Sequence, residues 1–334
     1  MTRRVVVHCG LSKTGTKSLQ NFLALRKVEL RALGYDYPSV GLSKTTYAHH
    51  NLALNILESS QFNPALGTAD DAVAYLQRPD RSPNIVFSSE FFSVCFVKAS
   101  APERLWNFLR ELRKSNDEVR VIFMFRTFWR RLESDFLECV KSGKRVLSIR
   151  HQIEDGLRWY RTFFGNVSEL ADLVGEDKIA ILDIEHGFRD SISAMLATLG
   201  IEASRLPPQS EYLNVRPSLK KSAYLFRMQY GRDGRYLGRP QKHIAAISRA
   251  IRALPDFPGD ETNYHVLSFD EANEIQANMR ALIPPLFADR LRRLVEPELT
   301  PFRHVNLPKV ELTDEDERLF YEATRHLLCI PFGD

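Results

Sequence analysis

The stretch Val5-Val6-Val7-His8-Cys9-Gly10-Leu11-Ser12-Lys13-Thr14-Gly15-Thr16-Lys17-Ser18-Leu19-Gln20 decides how the rest of the chain is read. Three β-branched residues open it and predict a buried strand. The chain then turns through Gly10 to Gly15. From Thr16 an amphipathic helix is expected, with Leu19, Phe22 and Leu23 on one face and Leu30 and Leu33 returning to it. Gly34 stands where a helix C-cap glycine would. Strand, glycine-bearing turn and helix together make a phosphate cradle. The free N–H groups of the first helical turn point at an anion, and the helix dipole favours negative charge there. Lys13 adds a point charge inside the turn.

Outward from this stretch, Asn84-Ile85-Val86-Phe87, Val119 to Phe125 and Ile179-Ala180-Ile181-Leu182 read as further buried strands. Helical patterns separate them: Asn51 to Ser59, Thr68 (as cap) to Gln77, Pro102 to Lys114, Phe128 to Val140, His151 to Leu173 and Ile192 to Leu199. Strands alternating with helices predict an α/β fold, a parallel, doubly wound sheet flanked by helices. Ligands of such sheets bind beyond the C-terminal ends of the strands. Lys13, Glu90 and Arg126 all fall at such ends. From Pro207 the texture changes to loop-rich, basic ground through Pro217 and Gly231 to Pro240, before helices resume at Gln241 to Leu254, Phe269 to Ile283 and Thr313 to Leu328. Residues 1–205 are therefore read as an α/β core. Residues 206–334 are read as a helical and loop extension of the same domain, placed to serve as a substrate lid.

Gly10 and Gly15 have the spacing of a Walker A loop, G-x-x-x-x-G-K-[ST], but Thr16 stands where the lysine should be. Lys17 and Ser18 come one residue late, on the helix, where Lys17 points elsewhere. The lysine able to reach the anion is Lys13. A second Gly-Leu-Ser-Lys-Thr begins at Gly41; no strand is expected to feed it and no Gly-Thr helix start follows. A second anion site is expected at Arg126, the last residue of its strand, and Ser134, about two turns into the next helix. The arginine offers a planar donor fork and the serine a hydroxyl, so both can close on one phosphate.

Lys-Thr-Gly-Thr after a strand, followed by Ser-Leu-Gln on the helix, resembles the 5′-phosphosulfate loop of the sulfotransferases that use 3′-phosphoadenosine 5′-phosphosulfate (PAPS). The Arg126-x7-Ser134 spacing resembles their 3′-phosphate site, although Thr127-Phe128 stand where a proline is usual. The resemblance covers about Val5 to Leu199. It implies a P-loop NTPase-like sulfotransferase fold of the carbohydrate-type, bacterial-like branch, with PAPS as donor, PAP as product and no metal. Lys13, Thr14, Gly15, Thr16, Lys17 and Ser18 would line the 5′ end, Arg126 and Ser134 the 3′-phosphate, and Arg216 and Lys220 a loop closing over the nucleotide.

Sulfuryl transfer by in-line displacement needs positioning, neutralisation of the departing phosphate and removal of the acceptor proton. Lys13 serves the second need. Glu90 is the expected general base, because it ends the apolar run Phe87-Ser88-Ser89-Glu90-Phe91-Phe92, and desolvation raises a carboxylate toward a base's working range. His50, or its neighbour His49, is the competing base, since adjacent histidines cannot both face one site. His8 reads as a structural residue, and Asp183 and Glu185 as solvated strand-end charges. The other open readings are a P-loop kinase using ATP and Mg²⁺, against which the displaced lysine and the missing Walker B aspartate count, and a non-catalytic nucleotide-binding protein, which would not need Glu90.

Of 334 residues, 44% are apolar and 26% charged, which excludes a disordered chain. A net charge of +4 suits anionic small ligands and is too weak to argue for nucleic acid. The four cysteines, Cys9, Cys95, Cys139 and Cys329, form no zinc-like spacing and read as reduced thiols. No run approaches the ~20 apolar residues of a membrane span. Met1-Thr2-Arg3-Arg4 runs straight into the first strand, so a cytoplasmic chain without a signal peptide or stable membrane insertion is expected. The expected partner is a small-molecule or glycan acceptor, with carbohydrate or glycolipid hydroxyls favoured.

Overall fold

The computed structural model describes residues 3–144, 148–185, 191–207, 217–231, 236–255, 260–295, 299 and 302–328. Val5, Val6 and Val7 are wholly buried, because β1 (Arg4–His8) runs through the middle of a sheet covered on both faces. In chain order follow α1 (Thr16–Leu25), α2 (Lys27–Ala32), β2 (Tyr35–Asp36), α3 (His50–Ile56), α4 (Ala69–Tyr75), β3 (Asn84–Ser88), α5 (Phe91–Cys95), α6 (Ala101–Lys114) and β4 (Glu118–Phe125). Then come α7 (Phe128–Ser142), α8 (Ile149–Val174), β5 (Ile179–Asp183), α9 (Ser191–Leu199), α10 (Leu219–Tyr230), α11 (Gln241–Ala253), α12 (Phe269–Leu282), α13 (Pro285–Val295) and α14 (Asp314–Leu328).

The fold is α/β. The five strands are all parallel, in the order β2-β3-β1-β4-β5. His8 stands opposite Ser88 on one side and Ile122 on the other. From β1 the chain builds β2 and β3 on one side, and the connection from β3 to β4 then crosses to the other, which puts the topological switch point beside the C-terminal end of β1. Both faces are covered, so the strands read as continuous apolar runs rather than alternating ones. Val6, Val86, Ile122 and Met124 pack one face against Leu19, Phe22 and Leu23 of α1 and Met195, Leu196 and Leu199 of α9. On the other face Phe123 meets Phe96 and Phe163, and Phe125 stacks on Phe164. Each such buried ring contributes roughly 1.5–3 kcal/mol.

Two features of this region depart from expectation. The helix expected through Leu33 breaks at Arg26, whose ψ of 23° ends α1. The break lets Leu30 of α2 reach the same core as Leu23, while Val28 is left 81% exposed. The strand β2 was not expected, because two residues show no period. It pairs Tyr35 with Asn84 and Asp36 with Ile85, so a strand does precede the second Gly-Leu-Ser-Lys-Thr. The next α-helix begins only at His50, and Leu52 packs so closely on Gly41 that a Cβ there would lie 2.3 Å from Leu52 Cγ. Thr68 caps α4 as expected: its Oγ1 accepts from Asp71 N–H and the Asp71 carboxylate accepts in return from Thr68 N–H. A reciprocal cap of this kind is worth about 1 kcal/mol.

The chain divides into two compact units. One comprises Met1–Phe128, Leu157–Asn214 and Met279–Pro297 and holds the whole sheet. The other comprises Trp129–Gly156, Val215–Asn278 and Glu298–Asp334 and is helical. Its core joins Phe136, Leu137 and Val140 of α7 to Leu225 of α10, Ile244, Ile247 and Ile251 of α11 and Phe320 of α14. There Glu133 is buried and accepts from the backbone N–H of Val266 and Leu267 and from His265 Nδ1, which fixes the segment before α12. The start of this region, expected as loop, contains α10, because Leu219, Ala223 and Leu225 supply an apolar stripe amid the basic residues.

Candidate active site

The turn after β1 is held from within. Thr14 Oγ1 donates to Leu11 O at 2.7 Å, closing the loop, and Ser191 Oγ donates to Gly15 O at 3.0 Å, tying the loop to the start of α9. Gly15 caps α1 at φ 76°, and Lys13 also sits in the left-handed region at φ 66°. That conformation costs a non-glycine residue on the order of 1–3 kcal/mol and is sustained where the surroundings enforce it. Gly10 is needed for a different reason: a Cβ there would lie 2.2 Å from Thr16 Cγ2 and 3.0 Å from the His8 ring. Thr14 and Thr16 are buried, Lys13 and Ser18 are half-buried, and Lys17 is exposed.

His8 lies under this turn and is fully buried. Its Nδ1 shares a hydrogen bond with Ser88 Oγ at 2.8 Å, while Nε2 has no partner among the described residues. Burial pushes its imidazole down to about 3, so it stays neutral.

Glu90 follows β3 and forms the N-cap position of α5. Its carboxylate accepts from Gln20 Nε2 at 2.9 Å and lies 3.5 Å from His50 Nε2. Gln20 is buried on α1, one turn beyond the loop, so the helix that opens at the loop also holds the carboxylate. The expected apolar setting of Glu90 is thus corrected: an amide and an imidazole surround it, and its side chain is 27% exposed. Gln20 was missed by sequence reasoning. The available signal was a polar residue beside Leu19 on the helix's apolar face.

The histidine pair divides its roles. His49 Nδ1 accepts from Ser88 N–H at 3.1 Å, so Nε2 carries the proton and donates it to Pro38 O at 2.9 Å. His49 N–H also donates to Ser88 O. Burial pushes this imidazole down to about 3. His49 is therefore a clamp joining the start of α3 to the end of β3. The clamp sets His50 beside Glu90, with His50 Nδ1 2.8 Å from Ser89 Oγ and its ring against Phe91. Burial lowers the His50 imidazole as well, and the Glu90 charge opposes that shift.

At the end of β4, Arg126 Nε donates to Glu185 Oε1 at 2.7 Å, and Thr127 N–H donates to Glu185 Oε2 at 3.0 Å. Asp183 Oδ1 accepts from Glu185 N–H at 2.9 Å. Asp183 and Glu185 are thus hydrogen-bonded residues of the site rather than solvated charges. Ser134 lies on α7 in the helical unit, half-buried. Lys220 lies on α10 in that unit, and its ammonium is engaged by both oxygens of Asp316. Arg216 lies outside the described residues.

Among the described residues there is no group of three or more His, Cys, Asp or Glu able to hold a metal ion, and no helix is long and apolar enough to cross a membrane. No family model matches the chain, and no curated protein matches it significantly. Among solved structures, a sulfotransferase from Alicyclobacillus acidocaldarius is similar, at 15% identity and a TM-score of 0.38, over 64% of this chain and 87% of that one. A likeness so slight decides nothing about activity and transfers no residue roles.

Proposed function

We propose that the chain is a PAPS-dependent sulfotransferase that moves a sulfuryl group to an acceptor hydroxyl, of carbohydrate or glycolipid class. The observation that carries this reading is the hydrogen bond from Gln20 to Glu90. It fixes a carboxylate to the same helix whose N-terminus closes the glycine-bearing loop, so a candidate base and a candidate phosphate cradle share one support. The residues fit the donor. A loop pinned at Thr14 and Gly15, with a left-handed Lys13, suits the 5′-phosphosulfate. The backbone N–H groups of the first turn of α1 would bind its oxygens, and Arg126 at the neighbouring strand end suits the 3′-phosphate. The expectation that Ser134 shares that phosphate rests on its spacing from Arg126 alone, and the expected nucleotide contacts of Arg216 and Lys220 rest on the resemblance.

In this reading Glu90 takes the proton of the acceptor hydroxyl as its oxygen bonds to sulfur. Lys13 compensates the charge left on the phosphate oxygen as the old S–O bond breaks. Gln20 holds the Glu90 carboxylate in place through its hydrogen bond, and the His50 ring lies 3.5 Å from the other carboxylate oxygen. The Glu90→Gln variant tests the assignment. It is expected to keep PAP affinity and to lose roughly 10²–10⁴-fold in transfer, the range of a general base. Unimpaired turnover would remove Glu90 from the chemistry.

A further inference from the structure

Arg126 and Glu185 meet because β4 and β5 pair in register, with Phe125 opposite Asp183, and the ladder runs one residue further through the bond from Ile184 N–H to Phe125 O. Glu185 then lies alongside Arg126. Its carboxylate divides its oxygens: one accepts from Arg126 Nε, the other from Thr127 N–H. Its own backbone is fixed by Asp183. The Glu185 side chain is 15% exposed and the Arg126 side chain 32%.

Two roles are open to a carboxylate in this position. It could occupy the arginine in place of a ligand, or it could hold the arginine for one. The division of its oxygens decides between them. A carboxylate that substitutes for a phosphate would take the guanidinium with both oxygens, as a fork on a fork. Glu185 instead touches Nε alone, and among the described residues the two terminal nitrogens of Arg126 have no partner. The end of the guanidinium that best matches two phosphate oxygens is thereby left available, and the plane that carries it is fixed.

We infer that Glu185 is the positioning residue that orients Arg126 toward the 3′-phosphate of the nucleotide. This rests on the sulfonucleotide reading above. A free arginine must be immobilised when the phosphate binds; an arginine already held by Glu185 loses less freedom.

The test measures, by titration calorimetry on the full chain, the affinity of PAP and of adenosine 5′-monophosphate, which lacks the 3′-phosphate. Their ratio isolates the 3′-phosphate contribution. In Glu185→Ala the ratio is expected to fall about three- to tenfold, the cost of ordering one rotamer-rich side chain, with the monophosphate affinity unchanged. Glu185→Gln, which keeps one side-chain oxygen for Arg126 Nε or Thr127 N–H and preserves the packing, is expected to fall between Glu185→Ala and the parent chain. A ratio at or above the parent value in either variant overturns the inference, and a raised ratio would make Glu185 a competitor of the phosphate. If the parent chain binds PAP no better than the monophosphate, the reading of Arg126 as a 3′-phosphate site fails, and the inference fails with it.

Discussion

Acid is expected to destabilise this protein well above the range of its carboxylates, chiefly through His8 and His49. Both imidazoles are fully buried and neutral, and burial holds each at about 3, against 6.5 for an exposed histidine. Between those values the unfolded chain binds a proton at each position and the folded chain does not. Stability is therefore present in full above pH 6.5 and is lost as pH falls. Each pH unit costs up to about 1.4 kcal/mol per group, so from pH 7 to pH 5 each histidine costs about 2 kcal/mol. The pair together cost about 4 kcal/mol, a large share of the stability of an ordinary domain. The assay is the thermal midpoint by circular dichroism at pH 7, 6 and 5, where a drop on the order of 10 °C is expected. His49→Gln lowers the midpoint at every pH, because the bonds to Pro38 and Ser88 are weakened. The readout is the slope, which is expected to lose the His49 share, up to about 1.4 kcal/mol per pH unit, while His8 and the lowered His50 keep theirs. A midpoint flat from pH 7 to pH 5, or a slope unchanged in His49→Gln, would refute the reasoning.

The loop glycines give a further pair of expectations. Gly10→Ala forces a Cβ to within 2.2 Å of Thr16 Cγ2 and against the His8 ring, so the loop must move; PAP binding is expected to weaken at least tenfold by calorimetry. Gly15→Ala places a side chain at φ 76° and 2.8 Å from Ser191 Oγ; a loss of about 1–3 kcal/mol in urea unfolding is expected, along with weakened PAP binding.

The sheet was legible in the sequence because strands covered on both faces are apolar throughout: Val5 to Val7, Asn84 to Phe87, Val119 to Phe125 and Ile179 to Leu182 announce themselves. β2 was not, since Tyr35 and Asp36 are held by pairing with β3 and by the bonds Asp36 makes to Tyr75 and Ser82, none of which is local in sequence. The same limit applied in the site. Lys13, Glu90 and Arg126 could be placed at strand ends because topology does that for every parallel sheet. What each touches depends on side chains brought from elsewhere: Gln20 to Glu90, Glu185 to Arg126. A glutamine on an apolar helix face and a glutamate after a strand both have unremarkable local readings. The two histidines of the pair do not share one set of contacts: His49 bonds Ser88 and Pro38, and His50 lies beside Glu90. Which of the two turns inward was set by Ser88 and Pro38, far from them in sequence.

The central claim is that the loop after β1 and the arginine after β4 bind the two anionic ends of one sulfonucleotide. The most direct measurement is the shift in thermal midpoint of the full chain with PAP in the absence of magnesium, against ATP with Mg²⁺. PAP at a hundredfold excess over its Kd is expected to stabilise the folded chain by about 2.7 kcal/mol, seen as a midpoint several degrees higher, and ATP with Mg²⁺ by much less. Stabilisation by ATP with Mg²⁺ and none by PAP would contradict the account and return the loop to the nucleoside triphosphate readers.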